Sequence, residues 1–152
     1  MGGGIVLSSL EETHRFGEAL ACCLKPNAIL ALSGDLGSGK TSFVQGVAKG
    51  LGIFSPIQSP TFIYLNVYEE GKVPFYHFDL YRLKNESDFW NMGFEEYFEK
   101  GGITAIEWPE KLGETLPKHC LFLQFSHAEK GRIIHFPSSF DSEMLDFLKK
   151  WH

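Results

Sequence analysis

The 152-residue sequence contains no hydrophobic run that approaches the roughly 20 apolar residues needed to cross a bilayer. Its first residues, Met1 to Gly4, have neither the basic nor the apolar region of a secretory signal peptide. We therefore expect no membrane partner and a cytoplasmic location.

Cysteine and histidine are too few and too scattered for the common metal sites. The three cysteines are Cys22, Cys23 and Cys120, and no C-x-x-C spacing is present. The six histidines show neither H-x-x-H nor H-E-x-x-H spacing, so a zinc site has no support. Because free cysteine is among the most often buried residue types, we expect all three to be reduced core residues.

Basic residues are also scarce. The chain has 14 Lys and Arg against 19 Asp and Glu, which gives a net charge of −5, and Lys149 and Lys150 are the one adjacent basic pair. Proteins that bind DNA or RNA directly usually carry a basic face that releases counterions from the phosphates. We therefore expect no DNA partner and favour protein partners.

The most informative stretch is residues 34–41, which match the phosphate-binding pattern G-x-x-x-x-G-K-[ST]. Its residues are Gly34, Asp35, Leu36, Gly37, Ser38, Gly39, Lys40 and Thr41. In this pattern the glycines leave backbone N–H groups free for phosphate oxygens, the lysine reaches the β- and γ-phosphates, and the hydroxyl holds Mg²⁺. A glycine-rich turn that merely joins a strand to a helix is the alternative, but it has no need of a Lys-Thr pair at this register.

The residues on either side of this loop agree with a phosphate site. A continuous apolar run at 28–32 predicts a buried strand of a parallel sheet. Upstream, a short strand at 4–7 is followed by Ser9 and Glu12, which form a capping-box signature for a helix. Apolar residues at helical spacing follow the loop at Phe43, Val44, Val47, Ala48 and Leu51. This order of elements predicts an α/β layer fold with the site at the carboxyl end of a strand.

The rest of the chain predicts two β-hairpins, one further strand and two helices. The hairpins pair 62–68 with 73–80 and 120–127 with 132–136, and an apolar strand at 103–106 lies between them. The helical patterns run from Ser87 to Glu99 and from about Asp141 onward. With 43% hydrophobic and 14% aromatic residues, we expect residues 1–152 to form a single domain.

Four short segments together resemble one known family. They are GDLGSGKTS at 34–42, SPTF at 59–62, HFDLYRL at 77–83 and EWPE at 107–110. In this order they are similar to the TsaE (YjeE) family, the bacterial ATPases of tRNA threonylcarbamoyladenosine modification. The resemblance implies a small P-loop NTPase-like α/β fold, with a central, mostly parallel sheet flanked by helices. It also implies ATP or ADP and Mg²⁺ as cofactors, TsaD and TsaB as partners, and contact with tRNA only through them.

The resemblance implies roles for particular residues. It assigns nucleotide binding to Thr13, to Trp108 as a wall of the site, and to Asp35, Leu36, Gly37, Ser38, Gly39, Lys40, Thr41 and Ser42. Mg²⁺ binding is assigned to Thr41 and Glu107. Catalysis is assigned to Lys40, Thr61, Asp79 and Arg82, with Thr61 and Asp79 in contacts around the γ-phosphate.

Chemistry leaves a simpler alternative open for several of these residues. Glu107, after an apolar strand, is placed to bind an ion directly or through water, or it is a surface acid. Asp79 orients the attacking water or caps the next turn. Arg82 offsets developing charge or pairs with a surface acid, and Thr61 contacts phosphate or serves a turn. We expect His77, on an alternating strand, to be a packed polar residue rather than a ligand or base.

The function we expect is ATP hydrolysis at the β–γ bond, slow without partner proteins, in support of the TsaD–TsaB complex. One alternative is a nucleotide-gated protein-binding module with little turnover of its own. Another is a small-molecule kinase, which requires a closing lid and acceptor-binding groups. A GTPase is disfavoured because no N-K-x-D base-reading motif is present.

Overall fold

A computed structural model describes residues 3–35, 37–58, 60, 64–136, 144, 146–147 and 151. The β-strands in these ranges are β1 (Gly3–Leu7), β2 (Ile29–Ser33), β3 (Leu65–Tyr68), β4 (Phe75–Asp79), β5 (Ile103–Glu107), β6 (Leu121–His127) and β7 (Arg132–Phe136). The α-helices are α1 (Leu10–Ala21), α2 (Lys40–Gly50) and α3 (Glu86–Asn91), and 3₁₀ helices cover Phe94–Glu99 and Pro109–Thr115. No helix within these ranges is long and apolar enough to cross a membrane.

The strands form one seven-stranded sheet in the order β1-β7-β6-β2-β5-β4-β3. Its centre is parallel, because β2 pairs in parallel with β5 and β6, and β5 pairs in parallel with β4. The pairs toward the two edges are antiparallel. The expectation of an α/β fold with a mostly parallel centre flanked by helices is confirmed.

Both predicted hairpins are present, although residues 62–63 of the first predicted arm lie outside the described residues, and each hairpin supplies two strands of this same sheet. They are β3 with β4 and β6 with β7. The short strand predicted at the start of the chain is β1, which pairs with β7 at the sheet edge and not with β2. The opening β1-α1-β2 segment therefore does not form an adjacent parallel pair.

Two apolar cores lie on the two faces of the sheet. The central strands β2 and β5 are buried along their whole length, as a parallel strand covered on both sides must be. Leu30 and Leu32 point to the core that contains the apolar residues of α1 and α2. Ile29 points to the other core, which contains Phe89 of α3 and Leu112. The alternation along β2 thus assigns its side chains to opposite layers.

The helices α1 and α2 approach each other closely because glycines lie where they touch. A Cβ atom on Gly46 would collide with the carbonyl oxygen of His14, and one on Gly50 would lie 2.5 Å from the carbonyl oxygen of Glu18. The α1 helix begins at the predicted N-cap, with the amide of Glu12 donating to Ser9 Oγ at 3.0 Å, but the Glu12 carboxylate accepts from Ser8 and not from the Ser9 amide of a full capping box. Since α2 starts at the phosphate-binding loop, this contact sets where that loop lies relative to the sheet.

The prediction of one continuous helix from Ser87 to Glu99 is wrong. It is split into α3 and a 3₁₀ helix because Gly93 adopts a left-handed conformation, with φ 74°. Phe89 and Phe98 are nevertheless buried, and Phe94 packs against the same core. The helix predicted from about Asp141 lies mostly outside the described residues.

The expectation that all three cysteines are core residues is also wrong. Cys22 is exposed, and Cys23 and Cys120 are only partly buried, where each packs against the edge of a core. Cys22 follows the last turn of α1, on the side of the chain that faces solvent.

We predict that Gly46→Ala lowers the unfolding temperature by several degrees. The added methyl group meets the backbone of α1, which cannot rotate away, and overpacking of this kind costs about 1–3 kcal/mol. Gln45→Ala, at the exposed neighbouring position of the same helix, is the matched control. Thermal unfolding followed by circular dichroism compares the two, and equal melting temperatures would contradict the close-contact argument.

Candidate functional site

The phosphate-binding loop joins the carboxyl end of β2 to the start of α2. Its backbone requires glycine at Gly37 and Gly39, where φ is 79° and 105°. A Cβ atom on Gly37 would meet nothing within 4 Å, so this side of the loop is open. The amide of Ser38 donates to the carbonyl of Asp35 at 3.2 Å and closes the turn. Leu36 lies outside the described residues.

The amino end of α2 is built to accept an anion. Its N-cap is Gly39, which has no side chain to cap the first amides, and the first turn contains no acidic residue. The amide of Phe43 makes the first helical bond, to the carbonyl of Gly39 at 3.0 Å. The preceding amides of α2 therefore have no partner within the helix and carry the positive end of its dipole.

Lys40, the first residue of α2, reaches back to the start of the loop at Gly34. The residue is only 4% exposed. Its Nζ donates to the carbonyl oxygen of Gly34 at 2.5 Å and lies 4.1 Å from the ring centroid of Trp108. Burial lowers the pKa of Lys40, and the nearby carboxylates, Glu107 first among them, oppose that shift. A buried ammonium between a carbonyl and an aromatic face is suited to meet a phosphate.

Two carboxylates lie at the ends of neighbouring strands. Asp79 ends β4 and Glu107 ends β5, and the two residues are paired in register. Glu107 is buried, whereas Asp79 is half-buried and its Oδ1 accepts the amide of Tyr81 at 3.0 Å. This last bond is the turn-capping contact that was the alternative interpretation of Asp79. Burial raises the pKa of Asp79 and the charge of Glu107 adds to the rise, while the Tyr81 amide and the neighbouring His77 and Lys40 lower it.

His77 has a polar contact that sequence reasoning missed. It is buried, as expected for a packed polar residue, but its Nε2 lies 2.6 Å from Glu107 Oε2. One signal was available: His77 and Asp79 are two residues apart on a strand and therefore share a face. The partner itself comes from another strand, and no local pattern indicates it.

Arg132 was also missed. It is buried at the start of β7, where its Nη1 donates to Thr13 Oγ1 at 3.3 Å. Its Nε lies 3.2 Å from where a Cβ on Gly39 would be, and this Nε has no hydrogen-bond partner among the described residues. The loop thus has a second cation against it besides Lys40. Because Arg132 and Thr13 are 119 residues apart, sequence spacing carried no sign of the contact.

The other residues implied by the resemblance are placed unevenly around the loop. Thr41 is exposed in the first turn of α2, and Ser42 is partly buried beside it. Thr13 is buried, and its hydroxyl donates to the carbonyl of Ser9 at 2.9 Å. Arg82 is exposed, and none of the ion pairs found between described residues includes it. Thr61 lies outside the described residues.

Trp108 borders the site through both its backbone and its ring. It has a left-handed conformation, with φ 60° and ψ 49°, which is strained for a residue with a side chain. Its indole lies over Lys40 and contacts the ring of Tyr81 at a centroid distance of 4.9 Å. The strained backbone therefore turns the indole toward the phosphate-binding loop.

The donor set fits a magnesium ion that is bound together with phosphates. Among the described residues, no group of three or more His, Cys, Asp or Glu side chains could hold a metal ion by itself. Mg²⁺ usually takes one or two carboxylates and completes its shell with waters and substrate phosphates. A buried Glu107 at a strand end and the Thr41 hydroxyl on α2 match that incomplete set.

Comparisons with known proteins agree on one family. The family model described as threonylcarbamoyl adenosine biosynthesis protein TsaE matches residues 7–134. The tRNA threonylcarbamoyladenosine biosynthesis protein TsaE of Bacillus subtilis is 41% identical over 118 residues, which cover 78% of this chain and 73% of that protein. The protein of the same name from Synechocystis is 49% identical over 110 residues, covering 70% and 69%. The crystal structure of Bacillus subtilis YdiB matches with a TM-score of 0.78 and 30% identity, over 99% of this chain and 97% of that one.

We predict that Asp79→Asn raises the stability of the nucleotide-free, magnesium-free protein at neutral pH. The folded state raises the pKa of Asp79, so ionising this group opposes folding once the pH exceeds its pKa in the unfolded chain. The asparagine removes that charge and keeps an oxygen for the Tyr81 amide. The gain should disappear as the pH falls below about 4, where an ordinary aspartate is protonated.

Thermal unfolding of Asp79→Asn and the unchanged protein, measured from pH 4 to pH 8, checks this prediction. Glu114→Gln, which neutralises an exposed acid, serves as the control and should shift the unfolding temperature little at any pH. A variant that is less stable than the unchanged protein at pH 7 would contradict the burial argument.

Proposed function

Because this chain belongs to the TsaE family of tRNA threonylcarbamoyladenosine biosynthesis proteins, we propose that it binds ATP at residues 34–42 and hydrolyses it in support of that modification. The observation that carries the proposal is the arrangement around Lys40. A buried ammonium lies between an uncapped helix terminus and two strand-end carboxylates. This arrangement combines a place for phosphate with groups that handle a metal ion and a water molecule.

In the proposed complex, the amides at the start of α2 and the Lys40 ammonium bind the phosphates of ATP. Arg132 is the second cation of the phosphate subsite, because its guanidinium already lies against Gly39. Its Nε, without a partner among the described residues, is then available to a phosphate oxygen or a bridging water. Thr13 holds that guanidinium in place through its hydroxyl.

Glu107 and the Thr41 hydroxyl hold Mg²⁺ in this proposal. The bound ion supplies positive charge that neutralises the β- and γ-phosphate oxygens. Glu107 is suited to this role because its carboxylate is buried and, among the described residues, is hydrogen-bonded to His77 through one oxygen. A divalent cation next to this carboxylate offsets the cost of burying its charge.

Asp79 orients the attacking water and accepts its proton. The water oxygen forms a bond to the γ-phosphorus, and the bond from that phosphorus to the bridging oxygen breaks, which yields ADP and phosphate. Partial burial favours this role, since it raises the pKa of Asp79 and makes the carboxylate a better proton acceptor than an exposed one. One oxygen remains fixed by the Tyr81 amide, so the carboxylate is already oriented.

The proposed partners are TsaD and TsaB, and tRNA is reached only through them. The net charge of −5 disfavours a direct, tight complex with a polyanion. Among the described cations, Lys40 and Arg132 contact the loop, whereas Arg82 is exposed and outside the ion pairs that the structure describes. We propose that turnover is slow until the partner pair supplies or orders a further cation.

A second function has one observation in its favour. Tyr81 is 49% exposed and contacts the Trp108 ring, which in turn contacts Lys40. A nucleotide that draws Lys40 away from Trp108 would therefore alter a surface aromatic pair. In this nucleotide-gated binding module, ATP prepares a surface for a partner and hydrolysis only resets it. Partner binding that needs ATP but proceeds unchanged without turnover would favour this module over the ATPase.

We predict that Lys40→Met weakens ATP binding by about 10- to 100-fold, which is the loss of affinity expected when one charge-assisted contact is removed. The methionine keeps most of the buried volume of the lysine, so the nucleotide-free unfolding temperature should change by no more than a few degrees. Lys49→Met, which removes an exposed lysine of the same helix, should leave ATP affinity unchanged. Calorimetric titration with ATP measures the affinity, and unchanged binding by Lys40→Met would refute the site.

We predict slow steady-state ATP hydrolysis by the isolated protein and a rise of about 10³-fold or more with purified TsaD and TsaB, the size of effect that an arginine supplied in trans produces. The tRNA alone should give no stimulation. Phosphate release is measured for the protein alone, with each addition, and for Asp79→Asn with the full partner set, which should stay slow. Full activity without partners, or stimulation by tRNA alone, would overturn the partner-dependent mechanism.

A further inference from the structure

The buried pair of His77 and Glu107 joins the two strands that end at the site. His77 lies on β4 opposite Ala105 of β5, and Glu107 is two residues further along β5 on the same face. The side chains of His77 and Glu107 are only 3% and 7% exposed, and 2.6 Å separates their Nε2 and Oε2 atoms. The contact is therefore a short hydrogen bond shielded from water.

No other described residue makes a hydrogen bond with the ring of His77 that would explain its position. Its Nδ1 is buried without a hydrogen-bond partner among the described residues. The ring is held from the other side by packing, since it stacks on Phe75 with an interplanar angle of 13° and a centroid distance of 6.3 Å. A buried nitrogen without a partner is unfavourable, so the sequence retains a polar ring here at a cost in stability.

A gain in folding stability does not explain why His77 and Glu107 are buried together. Replacing a buried polar or charged pair by well-packed hydrophobic residues is often neutral or stabilising. On its own face of β4, His77 is preceded by Phe75, which is buried, and followed by Asp79 at the strand end, so an apolar residue at this position could pack against Phe75. What His77 adds over an apolar residue is control of one carboxylate oxygen of Glu107.

We propose that His77 is a positioning residue that fixes the carboxylate of Glu107 in the orientation needed to bind Mg²⁺ with the nucleotide. The inference rests on the proposed function. An Nε2–H that donates to Oε2 leaves Oε1 directed away from the ring, and no other described residue is hydrogen-bonded to this carboxylate. Partners that hold a metal ligand in this way commonly change metal affinity by about 10- to 100-fold when they are removed.

Two amide substitutions separate positioning from packing. In His77→Gln the side-chain amide extends to about the place of Nε2 and can still donate to Glu107. In His77→Asn it extends only to about the place of Nδ1, so the contact is lost while a buried amide of similar polarity remains. Phe89→Leu is the stability control, because it removes a buried ring from the core on the opposite face of the sheet, away from His77 and Glu107.

The experiment measures ADP affinity by calorimetry over a series of Mg²⁺ concentrations, together with ADP affinity in EDTA and the unfolding temperature of each variant. We expect His77→Asn to raise the Mg²⁺ concentration of half-maximal effect by about 10-fold or more, with ADP affinity in EDTA unchanged. This half-maximal Mg²⁺ concentration, the midpoint, should stay close to that of the unchanged protein in His77→Gln. Phe89→Leu should lower the unfolding temperature and leave the midpoint in place.

Two results would overturn the positioning role while the proposed function stands. One is a His77→Asn midpoint equal to that of the unchanged protein, and the other is a shift in Phe89→Leu or in His77→Gln as large as the shift in His77→Asn. If the unchanged protein binds ADP without any dependence on Mg²⁺, or does not bind ADP, the proposed function fails and the positioning role fails with it.

Discussion

The buried ammonium of Lys40 is the charge around which the rest of the site is arranged. A cation taken out of water is costly unless nearby groups offset the loss of hydration. In this chain the Gly34 carbonyl and the Trp108 ring touch it, and Glu107 and Asp79 act on it through their charges. These groups come from the ends of three strands, so the charge is accommodated only when β2, β5 and β4 lie side by side.

Polar groups without partners are concentrated at this place. Among the described residues, five buried side-chain nitrogen or oxygen atoms lack a hydrogen bond. Three of them belong to Ser38 in the loop, Arg132 against the loop and His77 against Glu107. Their desolvation opposes folding, as does the ionised Asp79, so the fold carries this cost where a ligand with several oxygens and a divalent cation can offset it.

The loop is also held from the side, by elements far from it in sequence. The glycines of α2 allow its backbone to pack directly on that of α1, and Thr13 of α1 binds the guanidinium of Arg132 from β7. Since Arg132 in turn contacts Gly39, the loop, α1 and the last described strand form one connected set of contacts. Support from several elements fixes the direction in which the first amides of α2 point, as the proposed phosphate site requires.

Much of this architecture follows from local patterns that the sequence contains on its own. The strand–loop–helix order around 34–41, the strands at 28–32 and 103–106, both hairpins and the Ser9 cap depend on neighbours within a few residues. The described structure agrees with each of them to within a few residues at the ends. The prediction of one helix across Gly93 was wrong. Apolar residues continue at helical spacing through this region, but Gly93 adopts a left-handed conformation that ends the α-helix. The contacts of His77 with Glu107 and of Arg132 with Thr13 and Gly39 were decided by the tertiary structure alone. They join residues on different strands and helices, and their geometry comes from strand order and register, which no spacing along one segment encodes.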